Sequence, residues 1–493
     1  MTNRALDTDG HDTIAWKVRV ATVTACLLLA ASGCAHVASH GTDPATGDVP
    51  ATWSVADAAT APGPASLAGW WSRFDDPLLT RLVSEALQAN TTVTGAQAAL
   101  RQARALRDVA AAALYPTLAG SASAQRSSGT SGAAPSAGRT TTNRFQAGLD
   151  ANWELDIFGA NRSALNASEA AASASAASLG DVQVSVAAEV ALGYITPRTA
   201  QARLAIANDN LASQQETLQI TLWRQQAGLV TSIEAEQARA SAEQTGALIP
   251  ALQTAIEQAS HALAVLVGRP PAALSTLLAS VTPVPRPDDG LALRLPAETL
   301  RQRADVRSAE YQVTAARARV GQAEAARWPS FAIGGSLGLN ALTLGALTNG
   351  ASVVSTLLAS VSLPIFDGGA RRAQVNAQQA ALDQAQTVYR AAVLLALKDV
   401  EDALVALRGD RLRLVRYANA ADAAAKASLM ARQRYSSGLV DFQVVLETQR
   451  TQLGTQDALA SAGSDVSSDY VRLYKALGGG WDPEMNTNQA STP

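Results

Sequence analysis

The chain has 493 residues, of which 47% are hydrophobic and only 16% charged, against roughly 25% charged in an average soluble domain. A formal net charge of −3 argues against a nucleic-acid partner, and no stretch of about 20 apolar residues occurs to form a transmembrane helix in the mature chain. The two cysteines lie near the N-terminus, as do three of the four histidines (His11, His36, His40), which is too little for a zinc site or a histidine-based nucleophile, so no cofactor and no catalysis are expected.

Lys17 and Arg19 precede VATVTACLLLAASGC, a short basic region followed by an apolar run that ends in small residues, the pattern of a secretory signal over residues 1–33. Ala31-Ser32-Gly33-Cys34 is similar to a bacterial lipobox, with Cys34 as the residue to be lipidated, although Ala31 stands where such boxes usually carry Leu. The alternative is a plain signal peptide with an incidental cysteine. Residues 34–68 are rich in Ala, Gly, Pro and Thr with little periodicity and read as an anchor linker.

The body of the chain repeats itself. AAALYPTLAGSAS (111–123) matches AARWPSFAIGGS (325–336), ANWELDIFGANR (151–162) matches ASVSLPIFDGGARR (359–372), and RQQAGLVTSIEAEQAR (224–239) matches RYSSGLVDFQVVLETQR (434–450). Three landmarks recur in the same order, so two similar units are expected at 69–285 and 286–480, with a tail at 481–493. Each unit opens with an Ala-rich helix that ends at an aromatic-Pro pair. Alternating stretches follow, Phe145/Ala147/Leu149/Ala151/Trp153 in the first unit and Phe331/Ile333/Gly335/Leu337/Leu339 in the second. They predict strands at about 117–126 and 143–155, joined by a Gly/Ser-rich loop over 126–143, and at about 330–340 and 352–363. Period two over this length suits a tilted membrane-spanning strand, and equally a half-buried soluble sheet.

Long helical tracts come next, running to 268 in the first unit and over 371–477 in the second. Val393, Leu397, Val400, Leu404 and Leu407 step by coiled-coil spacings, and Leu204, Leu211 and Leu218 keep a heptad step. Pro197 is expected to kink its helix. His261 reads as an ordinary helix residue. Gly228 and Gly438 interrupt the tracts where a left-handed residue would end one helix before the chain reverses, so each Gly-Leu-Val marks a hairpin tip. Four membrane strands cannot close a barrel, since known membrane barrels have at least eight, and open edges find no partner in lipid, so copies of the chain must assemble.

At GWWSRFDDPLLTRLVSEAL, AALYPTL, WELDIFGANR, LPIFDGGARRAQV and RYSSGLVDFQ, within about residues 69–478, the chain resembles outer-membrane efflux factors of the TolC/OprM type, in their lipid-anchored NodT-like branch. The resemblance implies a mainly α fold with a membrane β-barrel: a homotrimer whose duplicated β-hairpins close a twelve-stranded barrel and whose antiparallel helical hairpins form a periplasmic tunnel. It implies a periplasmic adaptor and an inner-membrane pump as partners, outer-membrane lipids around the barrel, and passive conduction of toxic small molecules. It also implies adaptor docking at Gly228, Leu229, Val230, Gly438, Leu439 and Val440. The family's entrance-narrowing acid corresponds to Glu447, its apolar plug position to Gln443, with Val444 beside it, and Asp441 lies nearer the tip. The alternative is a periplasmic coiled-coil lipoprotein with a structural or adaptor role.

Overall fold

The structure, a computed structural model, describes residues 67–130, 139–287 and 302–481, all within one compact unit. The signal peptide, Cys34 and most of the linker lie outside the described residues, as do positions 482–493.

Trp70–Phe74 forms a short 3-10 turn, and α1 (Pro77–Ala89) follows. Asp76 starts α1 because its carboxylate accepts from the Leu78 and Leu79 amides (2.9 and 3.0 Å) and Pro77 supplies a helix-ready first residue. Leu79, Leu82, Val83 and Ala86 repeat at helical spacing and are buried. Asn90 caps α2 (Thr91–Ala112) in the same way and also donates to the Leu266 carbonyl (2.8 Å). The chain then forms β1 (Thr117–Thr130) and β2 (Arg139–Leu155), a 67-residue helix α3 (Ala160–Gln226), and its antiparallel partner α4 (Ser232–Leu266). The second unit repeats the order: α5 (Ala304–Ala325), β3 (Ser330–Ala341), β4 (Val353–Ser362), the 67-residue α6 (Ala370–Ser436) and α7 (Phe442–Ala476). At about 1.5 Å per residue, α3 and α6 are each roughly 100 Å long.

The duplication is kept to the residue through the helices. α3 and α6 have equal length, α4 and α7 are each 35 residues, and all begin at an offset of 210 positions (370 − 160, 442 − 232). The offset is 208 at Phe158/Phe366 and becomes 210 because Asp367-Gly368 is inserted before the second long helix.

The four strands form one antiparallel sheet in the order β1-β2-β3-β4. Its register gathers the alternating residues into rows: Leu118–Ala151–Gly335–Leu357 and Ala122–Ala147–Leu339–Val353 on one face, Ala119–Asp150–Ser336–Thr356 and Ser123–Gln146–Asn340 on the other. One face is apolar and the other mostly polar. The apolar face is uncovered in the single chain, with Leu337, Leu357 and Val361 exposed. β1 and β4 are edge strands. The first ladder is longer than the sequence suggested, extending past Arg126↔Asn143 to Thr130↔Arg139, so the expected loop over 126–143 shrinks to its tip. Ser127, Ser128, Thr141 and Thr142 are exposed on this ladder, where β-branched Thr is favoured even without apolar alternation.

α3 is the hub, packing against α2, α4, α5 and α7, while α6 packs against α5 and α7. Small side chains make this possible: Ala167, Ala170, Ala174, Ala177 and Gly180 are buried along α3, and a Cβ on Gly180 would lie 2.6 Å from the Trp481 ring. Lower down, the buried line of α3 is polar, through Asn210, Gln214, Thr217 and Thr221. Asn210 donates to Gln456 (2.8 Å), Gln449 donates to Thr217 (3.0 Å), and Arg203 pairs with Asp457 (2.6 Å), all between α3 and α7. Leu204, Leu211 and Leu218 are only half-buried beside this line, whereas Val400, Leu404 and Leu407 on α6 are buried. α3 runs through Pro197 as one uninterrupted helix. Trp70 stacks on Tyr474 (centroids 5.3 Å apart), which ties the beginning of the described chain to the end of α7.

Candidate gate at the helical hairpin tips

Each long helix ends by the same device. Gly228 has φ +71° and Gly438 has φ +73°, the left-handed region that glycine enters without a Cβ penalty. In the first tip the Leu229 amide bonds the Arg224 carbonyl (2.8 Å) and the Gly228 amide bonds the Gln225 carbonyl (2.9 Å); in the second, Leu439 bonds Arg434 and Gly438 bonds Tyr435 (both 2.9 Å). These are two Schellman closures, which satisfy the helix-end carbonyls and reverse the chain into α4 and α7. The same closure recurs at the opposite ends of the hairpins, at Gly268 and Gly478.

The two tips are braced against each other. Arg224 donates to the Tyr435 carbonyl (2.7 Å), and its guanidinium lies 4.5 Å from the centre of the Tyr435 ring. The Tyr435 hydroxyl donates to Glu234 (3.4 Å). Beneath this brace Ala238, Ala431, Tyr435, Phe442, Val445 and Leu446 form a buried apolar cluster, with Leu218 and Val440 against it. Arg432 donates to Ser213 (2.7 Å) a little further along. Arg224 and Tyr435 were both inside the repeated motif, yet sequence reasoning did not single them out. The available signal was the aromatic at Tyr435 where the first copy has Gln225.

Gly228, Leu229, Gly438 and Leu439 are exposed at the turns, and Val230 and Val440 are half-buried. Asp441 begins α7 through its backbone carbonyl, which accepts from Val444 (3.1 Å), while its exposed carboxylate does not cap the helix. Gln443 is drawn sideways and donates to Gln237 on α4 (2.8 Å). Val444 and Glu447 are exposed one turn apart on α7, followed on the same face by Thr451 and Gly454. Among the described residues neither Asp441 nor Glu447 has an ion-pair partner. Asp441, Gln443, Val444 and Glu447 are therefore all exposed at the start of α7, with Gln443 one turn before Glu447 and engaged by Gln237. Position 237, which matches 447 in the first unit, is Gln, so the free carboxylate belongs to the second unit alone.

The family model for outer membrane efflux proteins matches the chain twice, over residues 82–269 and 295–479. The chain belongs to that family. The two matches fall one on each structural unit. The chain is 31% identical over 414 residues to the solvent efflux pump outer membrane protein SrpC of Pseudomonas putida, covering 84% of this chain and 87% of the relative. It is 28% identical over 471 residues to the probable outer membrane lipoprotein SilC of Salmonella typhimurium, covering 94% and 99%. Among solved structures, that of the outer-membrane channel OprN superposes with a TM-score of 0.83 at 35% identity, covering 90% of this chain and 99% of that one. The duplicated plan of strands and long helical hairpins is thus that of outer-membrane efflux channels.

Proposed function

We propose that three copies of this chain form the outer-membrane conduit of a tripartite exporter, receiving toxic small molecules from an inner-membrane pump through a periplasmic adaptor. The observation that carries the proposal is the sheet. It has one apolar and one polar face and two unpaired edges, and it is joined to helices long enough to cross much of the periplasm. Three sheets joined edge to edge give twelve strands, enough to leave a channel, with the apolar rows toward lipid and Gln146, Asp150 and Asn340 toward water. Phe158, Trp328 and Phe331 cluster where the strands meet the helices (Phe158–Trp328 centroids 5.4 Å), the level at which membrane barrels carry aromatic girdles. Cys34 supplies the lipid anchor, in keeping with a relative described as a probable lipoprotein. The protein performs no chemistry; energy comes from the pump.

The exposed tips bearing Leu229 and Leu439 are the adaptor-docking surface, and Asp441, Val444 and Glu447 are the gate. Three-fold symmetry places three Glu447 carboxylates around one opening, where like charges repel one another and attract cations. In planar bilayers, Glu447→Gln and Asp441→Ala should each raise resting conductance; unchanged closed-state conductance in both would remove them from the gate. Loss of the gene in cells carrying the cognate pump, with no redundant channel, should raise sensitivity to toxic compounds. Cys34→Ala protein should remain membrane-embedded as a heat-labile trimer. Its release as a soluble protein would favour the periplasmic coiled-coil lipoprotein instead.

A further inference from the structure

The two units of one chain meet along α3, which packs on α5 and α7 of the second unit. Side-chain hydrogen bonds stitch α3 to α7: Thr199 to Ser464 (2.7 Å), Arg203 to Asp457 (2.6 Å), Asn210 to Gln456 (2.8 Å) and Gln449 to Thr217 (3.0 Å). α6 repeats α3 at an offset of 210 (370 − 160), but its main neighbours are α5 and α7 of its own unit. The duplication names the neighbours it lacks. α2 is the counterpart of α5 at an offset of 213 (304 − 91), and α4 is the counterpart of α7 at 210 (442 − 232). Both already pack on α3 within the chain, so only those of another copy are free to cover α6.

Exposure marks the same uncovered seam. Val184 on α3 is buried beside Gly480, whereas its counterpart Leu394 on α6 is 58% exposed. Ser178 on α3 bonds Ser308 on α5 (2.9 Å). Their counterparts are Val388, 49% exposed on α6, and Gly95 on α2, where nothing lies within 4 Å of a Cβ. At the base of the sheet Phe158 stacks on Trp328 (5.4 Å). The counterparts of this pair, Phe366 and Tyr115, are 91% and 70% exposed. β4 and β1 are also the two open edges, so the aromatic halves and the unpaired strands fall on the same two sides of the chain.

We propose that the contact between the two units is repeated between copies, with α6 lying on α2 and α4 of the next copy and Phe366 stacked on that copy's Tyr115, and that the tunnel wall parts along these seams. A contact of this head-to-tail kind closes into a ring. The stitches, however, do not carry over. Thr199–Ser464 becomes Gly409 with Thr254 of the next copy (199 + 210, 464 − 210), and Asn210–Gln456 becomes Ala420 with Gly246. Thr217–Gln449 becomes Ala427 with Arg239, and Arg203–Asp457 becomes Arg413 with Ala247. None of these pairs can form a hydrogen bond between side chains, and Arg239 and Arg413 are held in their own units by Glu236 and Asp410. At the tip Arg434 stands for Arg224 and Gln225 for Tyr435, so the ring under the guanidinium is lost. The wall therefore alternates stitched seams within chains and smooth ones between them. Parting a smooth seam breaks no buried hydrogen bond, whereas parting a stitched one strands its donors and acceptors. The number of copies rests on the conduit reading; the placing of the seam rests on the duplication.

The test uses the full-length protein in detergent and in planar bilayers, with equivalent cysteine pairs in the two seams and each single-cysteine variant as control. Thr199→Cys with Ser464→Cys bridges the seam inside a chain and should keep one-chain mobility on non-reducing denaturing gels. Gly409→Cys with Thr254→Cys, or Ala420→Cys with Gly246→Cys one step nearer the tips, should give a three-chain product. In bilayers, oxidising either pair between copies should abolish the openings seen in the wild type, and reductant should restore them. Oxidising the pair within the chain should leave the openings unchanged. Phe366→Ala and Tyr115→Ala should each lower the temperature at which the trimer dissociates, and the double variant should fall no further than the worse single one. A native trimer in which neither pair between copies cross-links overturns the seam and leaves the conduit standing. Equal loss of opening from both kinds of bridge overturns parting between copies, and additive losses at Phe366 and Tyr115 overturn the stack. A native protein that runs as one chain overturns the conduit reading and the seam together. A wild type that never conducts counts against the conduit, and the gels still decide the seam.

Discussion

Gly228 and Gly268 share a backbone conformation, with φ of +71° and +72°, but not a setting. Nothing lies within 4 Å of a Cβ built on Gly228, whereas one on Gly268 would meet the Ala89 carbonyl oxygen at 2.6 Å. Gly228→Ala should therefore cost only the left-handed strain, about 1–2 kcal/mol. Gly268→Ala should cost clearly more, because α4 must move off α1. Comparing the melting temperatures of the two variants checks this, and equal losses would show that the backbone at 268 yields freely. Arg224→Ala leaves the Tyr435 carbonyl without its donor and removes the cation over the ring, a cost of about 1–3 kcal/mol if the carbonyl stays dry. The tips should then separate more readily, seen as higher resting conductance. The glycines were legible because the Gly-Leu-Val motif appears twice, and a glycine repeated between two long helical tracts marks the point where the chain turns back. Arg224 was not, because its partner lies 211 positions away and no local pattern announces it.

Among the elements, the sheet is where pattern and structure agree most closely. Period two assigned Leu337 and Ser336 to opposite faces, and the register places Leu337 between Leu149 and Ser355 and Ser336 between Asp150 and Thr356. Leu337→Arg should cost about 2–4 kcal/mol of barrel stability near the bilayer midplane, while Ser336→Arg should be tolerated in the water-filled interior. Heat-modified mobility on gels separates the two outcomes, and equal tolerance would contradict lipid contact on the Leu337 face. The helices were harder to read. The expected seam on α6 is buried at Val400, Leu404 and Leu407, but on the lower part of α3, where Leu204, Leu211 and Leu218 were expected to pack, the buried line is the polar one. An Asn or Gln at a helical position reads as solvated until a second helix supplies a partner, as Gln456 does for Asn210.

For the molecule as a whole, the open edges of β1 and β4 are the feature that a single chain cannot resolve. Within one sheet these strands are three spacings apart, about 14 Å, well beyond the roughly 4 Å Cβ separation of a disulfide. Paired cysteines introduced along β1 and β4, scanning from Ser121 and Thr356, should therefore cross-link only between copies and give a three-chain product on non-reducing gels. A series confined to monomers would argue against edge-to-edge closure.

The sequence alone determined the duplication, the order of strands and long helices, the positions of both tips and the need for partners at the sheet edges. All of these follow from local periodicity, from glycine at a reversal and from the rule that backbone groups in lipid must pair. Only the tertiary structure decided which polar side chains are buried and which acids stay free. It joined Arg224 to Tyr435, bonded Gln443 to Gln237, joined Asn210 to Gln456, and left Glu447 open on α7. Those relations depend on which helix lies beside which, and a chain whose helices run roughly 100 Å brings together residues that are far apart in sequence.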